Sequence, residues 1–173
     1  MLQKLITSRT RVKLLIKFFL NSDNRLHLRG LSEELGESTN AIRVELNRLS
    51  DAGLLLTEKD RNRILYRSNE NHPLHGNLRD LVTRHLGLDV LVERVLDRMG
   101  DVDQVVLTGD YARGLDTGTI DISVIGNDLN RQYLSHLSSR LEDLIGRKVA
   151  FILGDKEMNE NGMVLYDRSA ENI

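Results

Sequence analysis

The sequence predicts an α+β protein of two units. The first is a set of helices closed by a β-hairpin, and the second is a smaller α/β unit in which apolar strands and helices alternate. Three observations predict this. Helical periodicity runs through 11–20, 28–35 and 38–51 and then gives way to two short strand-like runs around a polar tip. The single proline, Pro73, interrupts the chain after that hairpin. Beyond it, the stretch 105–125 (VVLTGDYARGLDTGTIDISVI) begins and ends as buried strands with a glycine-bearing turn between them.

Taken in order, Arg11–Leu20 (RVKLLIKFFL) is a strongly apolar helix and Leu28–Leu35 (LRGLSEEL) a short amphipathic one, with Gly36 marking the turn after it. Ser38 is placed to cap the next helix, and Ala52-Gly53 to stop it. Within that helix Ile42, Leu46 and Leu49 fall on one stripe at the i, i+4, i+7 spacing that buries against a core. At roughly 100° per residue, Asn40, Arg43, Val44, Asn47 and Arg48 point away from the stripe, while Glu45 sits beside it. The exposed face therefore carries amides and guanidiniums without a carboxylate. Asn pairs with an adenine edge and Arg with guanine or phosphate, so this is a face suited to the major groove. Leu54–Glu58 and Arg63–Ser68 then read as two strands around a Lys59-Asp60-Arg61-Asn62 tip.

Helix, helix, turn, helix, hairpin is the order of a winged helix-turn-helix. Residues 5–71 resemble the DNA-binding domain of ArsR/MarR-type transcription regulators, whose third helix enters the major groove while the hairpin wing lies along the neighbouring backbone or minor groove. The resemblance implies that Thr39, Asn40, Arg43, Asn47 and Arg48 meet the groove. It also implies that Lys59, Arg61 and Arg63 meet phosphates, with Arg29 added from the second helix.

Charge divides in the same sense. Residues 1–72 carry 13 Lys and Arg against 9 Asp and Glu, a net +4, whereas the remainder carries 11 against 17, a net −6. Only the first part favours a polyanion, and so modest an excess implies weak, salt-sensitive non-specific binding and the help of a dimer. Cysteine is absent, so disulfide and thiolate chemistry are excluded. No apolar run is long enough to span a membrane and no signal-peptide pattern opens the chain, so the cytoplasm is the expected location. Few aromatics argue against a reader that stacks on single-stranded bases.

His72-Pro73 is the sequence-read boundary, because the residue before proline resists helix and proline is tolerated at a helix start. The expected organisation is 1–72 as the DNA-binding domain, 73–100 as connecting helices and 101–173 as the second domain. Helices are expected from Leu74 to His85 and from Leu88 to Met99, serving either to bridge and dimerise or simply as core. A helix over 129–145, with Leu134, Leu137, Leu141 and Leu144 at mixed three- and four-residue spacing and most of them core, covers one face of a sheet that also takes Lys148–Leu153 and, as the last strand, Met163–Tyr166. His72 and His75 are close but lack a third ligand, so no metal site is expected, and no cofactor.

The stretch Gly109-Asp110-Tyr111-Ala112-Arg113-Gly114, followed by Thr119-Ile120-Asp121, resembles the signature of minimal nucleotidyltransferases. There a strand ends in Gly-Ser, a short helix carries Ala-Arg-Gly, and an Asp-x-Asp pair lies on the next strand. The resemblance covers roughly 101–153. Nucleotidyl transfer needs paired carboxylates to hold divalent metals against a triphosphate, and a small turn to cradle phosphate oxygens. This sequence departs at both points. Asp121 falls on the second carboxylate but Thr119 on the first, and Asp110 replaces the serine, setting a negative charge where the triphosphate docks. Asp116 is a candidate replacement carboxylate. The expectation is a nucleotidyltransferase-like domain without catalytic residues, retaining Gly109, Asp110, Arg113 and Asp121 as a candidate ligand pocket. The expected protein is a homodimeric regulator that binds double-stranded DNA, with a small-molecule or nucleotide effector as a further possible partner. An active or residual nucleotidyltransferase and a protein-binding, antitoxin-like module are the alternatives.

Overall fold

The computed structural model describes residues 2–154 and 162–172. By internal contacts the chain divides into two compact units, one formed by Met1–His85 with Arg113–Leu115 and the other by Leu86–Ala112 with Asp116–Ile173. The contact division thus falls after the helix that follows Pro73 rather than before it.

In the first unit, α1 (Leu2–Leu5) leads to α2 (Arg9–Leu20). The Ser8 hydroxyl accepts from the Arg11 amide to cap α2, satisfying one of the donors a helix start leaves open. Leu14, Ile16, Phe18 and Phe19 are each at most 2% exposed, so α2 is buried almost all round and forms the centre of this core. α3 (Leu28–Leu35) buries Leu31 and Leu35 and ends at Gly36, whose left-handed φ of 61° suits glycine and turns the chain toward α4.

α4 (Thr39–Asp51) starts on the expected cap, with the Ser38 hydroxyl accepting from the Ala41 amide. Its stripe of Ile42, Leu46 and Leu49 is 0, 0 and 5% exposed. At about 1.5–3 kcal/mol for each large apolar side chain removed from water, this stripe is a principal tie of α4 to the core. Gly53, at φ +72°, follows the helix as expected.

The hairpin consists of β2 (Leu55–Asp60) and β3 (Arg63–Ser68), paired from Leu55↔Ser68 to Asp60↔Arg63. The tip is therefore only Arg61-Asn62: Lys59 and Asp60, expected in the loop, continue the ladder opposite Ile64 and Arg63. A further strand, β1 (Leu26–His27), pairs with β3 to complete a three-stranded sheet in the order β1-β3-β2. Three packed helices with such a sheet are a winged helix-turn-helix. α5 (His75–Leu86) follows the hairpin. His72 and His75 serve local packing. The His72 Nδ1 accepts from the Leu74 amide, and His75 bonds the Ser22 hydroxyl and stacks at a tilt on Phe19.

The second unit begins with α6 (Leu88–Arg98), which buries Leu88, Leu91 and Val95 at i, i+3, i+7. β4 (Asp101–Thr108) runs into the four-residue α7 (Gly109–Ala112), and β5 (Thr119–Asn127) returns antiparallel to β4. α8 (Arg131–Ile145) then crosses to β6 (Lys148–Leu153), parallel to β5, and β7 (Met163–Asp167) joins the far side to give the order β6-β5-β4-β7. Strand, short helix, antiparallel strand, crossover helix and parallel strand make this the small nucleotidyltransferase-like α/β fold. One detail differs from the sequence reading. α8 begins at Arg131 on an Asn130 cap rather than at Leu129. Most of its leucines are core as expected: Leu134, Leu137 and Leu141 are buried, and Leu144, at the stripe's edge in the last turn before Gly146, is 62% exposed.

Candidate nucleic-acid interface

α4 presents Thr39, Asn40, Arg43, Val44, Asn47 and Arg48 to solvent, the face expected from periodicity. Beside it, α3, β1 and the hairpin close a concavity of about 1000 Å³ that Arg43 and Asn47 of α4 share with Arg25, Arg29 and Arg63. Glu33 is the one carboxylate lining this cavity against four arginines. The arrangement concentrates positive potential in this cavity.

Local bonds fix the cavity walls. His27, at the residue before α3, sets one ring nitrogen 2.9 Å from the Ile64 carbonyl and the other 3.1 Å from the Asp60 carboxylate, tying the start of α3 to both strands of the wing. On the wing's opposite stretch Glu58 accepts from Arg67 and lies 4.0 Å from Arg25. Arg61 stands exposed at the wing tip with φ +54°, a conformation that costs a non-glycine residue energy and that concentrates at functional positions.

Of the residues predicted to contact DNA, Arg29, Arg43, Asn47 and Arg63 are brought together in this cavity. Thr39 and Asn40 lie exposed at the start of α4, and Lys59 and Arg61 lie exposed on the wing. Arg48 lies exposed on α4, its Nη1 donating to Glu45 at 3.1 Å. Sequence reasoning missed Arg25 and His27. They belong to or adjoin β1, a strand of two residues, too short for alternation to signal.

In the second unit, the residues of the nucleotidyltransferase resemblance are arranged as follows. Thr119 and Asp121 lie on the same face of β5, opposite Lys148 and Ala150 of β6. A Cβ on Gly109 would come within 2.5 Å of the Asp121 Oδ2, and Gly109 has φ +65°, so glycine is required where α7 meets that carboxylate. Asp116 is already committed. Arg147 grips it through two bonds, Nε to Oδ1 at 3.1 Å and Nη2 to Oδ2 at 2.8 Å, and the Tyr111 hydroxyl donates to it. That hydroxyl in turn accepts from the Gly118 amide at 3.1 Å. Burial of Tyr111, with the Asp116 carboxylate beside it, pushes its pKa up to about 12.

Of the expected ligand pocket, Gly109 and Asp121 meet at the junction of α7 and β5. A cavity of about 590 Å³ in this unit is lined by residues of 117–119, 142–143 and 146–148, and none of Gly109, Asp110, Arg113 or Asp121 is among them. Arg113 clusters with the first unit, where its carbonyl accepts from the Lys17 ammonium at 2.7 Å and from the Asn24 amide at 3.1 Å. Among the described residues, no group of three or more histidines and carboxylates is placed to hold a metal ion, and no helix is long and apolar enough to cross a membrane.

No protein-family model matches the chain, and no curated protein matches it by sequence. The chain is similar over part of its length to three solved structures. A mutant of the toxin-antitoxin pair MntA-HpeT covers 50% of this chain and 78% of its own at 16% identity, with a TM-score of 0.43. Reduced HlyU from Vibrio cholerae covers 50% of this chain and 83% of its own at 24% identity, with a TM-score of 0.38. The adhesin competence repressor AdcR from Streptococcus pyogenes covers 55% and 70% at 21% identity, with a TM-score of 0.41.

Proposed function

We propose that the protein is a sequence-specific, homodimeric transcription regulator of the cytoplasm that reads double-stranded DNA through α4 and braces itself on the backbone with its wing. The observation that carries this reading is the cavity between α4 and the wing, where four arginines and Asn47 converge around a single carboxylate. In the proposed complex Arg43 and Asn47 contact base edges, with Thr39 and Asn40 nearer the helix start. Arg29 and Arg63, with Lys59 and Arg61 of the wing, neutralise phosphates. The first part's charge of +4 supports a dimer, since each protomer alone gains little from counterion release.

The second unit is proposed to be catalytically silent and to serve dimerisation or the sensing of a small molecule or nucleotide. Supporting this, Thr119 stands where a metal-binding carboxylate is needed, and Asp116, the candidate substitute, is held by Arg147 and Tyr111. Magnesium-dependent consumption of nucleoside triphosphate, abolished by Asp121→Asn, would make the second unit an enzyme instead.

The test is selection of bound duplexes from a randomised pool, followed by titration of a selected and a scrambled duplex across a salt series. The reading expects enrichment of inverted repeats with half-sites about one helical turn apart. It also expects a preference that survives moderate salt and falls about 10- to 100-fold in Arg43→Ala, as loss of a base-edge contact should. Absence of enrichment, or a preference indifferent to Arg43→Ala, contradicts it.

A further inference from the structure

α4 has two exposed flanks. At roughly 100° per residue, Arg43 and Asn47 lie on the flank turned to the wing, whereas Val44 and Arg48 lie about a quarter-turn further round. On this second flank Glu45, with its side chain 6% exposed, is the hub of a cluster joining α4 to the start of α2. It accepts from Arg11 Nε at 2.7 Å, from Arg48 Nη1 at 3.1 Å and from the Ser8 hydroxyl at 2.8 Å. Burial pushes the Glu45 carboxyl up, but hydrogen bonds from Arg11 and Ser8 and the charges of Arg11 and Arg48 outweigh it and hold the group below its ordinary value. Two guanidiniums therefore share one ionised carboxylate, which leaves the cluster with a net positive charge. The surplus faces outward, since Arg48 is 59% and Arg11 34% exposed while Glu45 is covered.

We infer that Arg11 and Arg48 form a phosphate seat that takes a phosphodiester of the second DNA strand when α4 lies in the major groove. This rests on the proposed reading of α4 as the DNA-recognition helix. A major groove about 12 Å wide leaves little room beside a helix of about 10–12 Å diameter, so both flanks of the helix meet phosphate walls. The wing-side flank has Arg29 and Arg63 for one strand. Without Arg11 and Arg48, the other flank would bring the Glu45 carboxylate toward the opposite strand. Glu45 instead orients the two arginines, whose planar donors match phosphate oxygens. Arg48 is thus a backbone contact rather than a base reader, and Arg11, outside the recognition helix, is part of the interface.

The experiment is a salt titration of the full-length protein on the selected and scrambled duplexes, comparing wild type with Arg48→Gln, Arg48→Lys and Arg43→Ala. Arg48→Gln leaves Glu45 bonded to Arg11 and Ser8, so its melting temperature should stay at the wild-type value. Its affinity should fall by the same factor for both duplexes. With one phosphate contact fewer, its loss of affinity between 50 and 200 mM salt should be roughly 3.5-fold smaller than that of wild type. Arg48→Lys should restore the wild-type slope. A wild-type slope in Arg48→Gln, with Arg43→Ala still losing discrimination, overturns the phosphate seat and leaves the DNA reading standing. Failure of the wild type to bind any duplex overturns both.

Discussion

Glu45 in the first unit and Asp116 in the second are both carboxylates gripped by arginine, and their surroundings give them opposite roles. Glu45 is outnumbered, with Arg11 and Arg48 both directed at it, Arg48 exposed and Arg11 partly so. Asp116 has one arginine, Arg147, whose side chain is only 14% exposed, and the hydroxyl of the fully buried Tyr111. The first cluster keeps a positive surplus on the surface, and the second spends its charge on fixing its own loop. The same ion pair leaves cations on the surface in one case and buries its cation in the other, and the difference lies in the count and exposure of the cations.

The largest expected effect separates the two on DNA. The double variant Arg43→Ala/Asn47→Ala should lose about 30-fold or more of its preference for a selected duplex, at about 1–3 kcal/mol for each base contact. Asp116→Asn should leave that preference intact, as competition binding will show. Asp116→Asn should act on stability instead. It leaves Arg147 and Tyr111 poorly partnered and should cost about 2–3 kcal/mol in denaturant unfolding. The figure is moderated because the Asp116 side chain keeps 23% exposure.

The units should also differ in which end of the pH scale weakens them. The folded state holds Tyr111 neutral up to about 12, so its contribution is fully present below the unfolded value near 10 and is lost as pH rises toward 12. About 2–3 kcal/mol should disappear across that window, and the corresponding fall should be absent in Tyr111→Phe. Glu45 behaves in the reverse sense. Its lowered pKa gives stability that is present above the ordinary carboxylate value and is lost as pH falls through the folded one, a loss that Glu45→Gln should remove. Unfolding curves against pH for the two variants check both edges. The smallest effect belongs to the wing tip. Arg61→Gly relieves a left-handed backbone at φ +54° and should leave stability unchanged or raise it by about 1 kcal/mol, while weakening all duplexes evenly.

Much of the first unit was legible because its signals are local. Ser38 and Gly36 mark the ends of elements, and the spacing of Ile42, Leu46 and Leu49 fixes which face of α4 is left for a partner. The limits were physical too. β1 is too short to alternate, so Arg25 and His27 went unread. Lys59 and Asp60 look like loop residues, yet continue the ladder because polar side chains are tolerated at an exposed strand end. Leu144 matched the inward spacing but sits at the edge of the stripe, in the last turn of α8. Asp116 read as a spare carboxylate because its partner, Arg147, lies on the far side of β5 and α8 in sequence, where no local pattern reaches. Arg48 shares the exposed face of Arg43, and its bond to Glu45, itself paired with Arg11 of α2, is not signalled by periodicity.

Amide hydrogen exchange with and without a selected duplex tests most directly whether the cavity between α4 and the wing is the DNA site. The account predicts slowed exchange across α3, α4 and the β2–β3 tip, together with the start of α2, and little change over α7 and the loop held by Asp116. Protection concentrated on α7 and β5, with the wing and α4 unaffected, would contradict it.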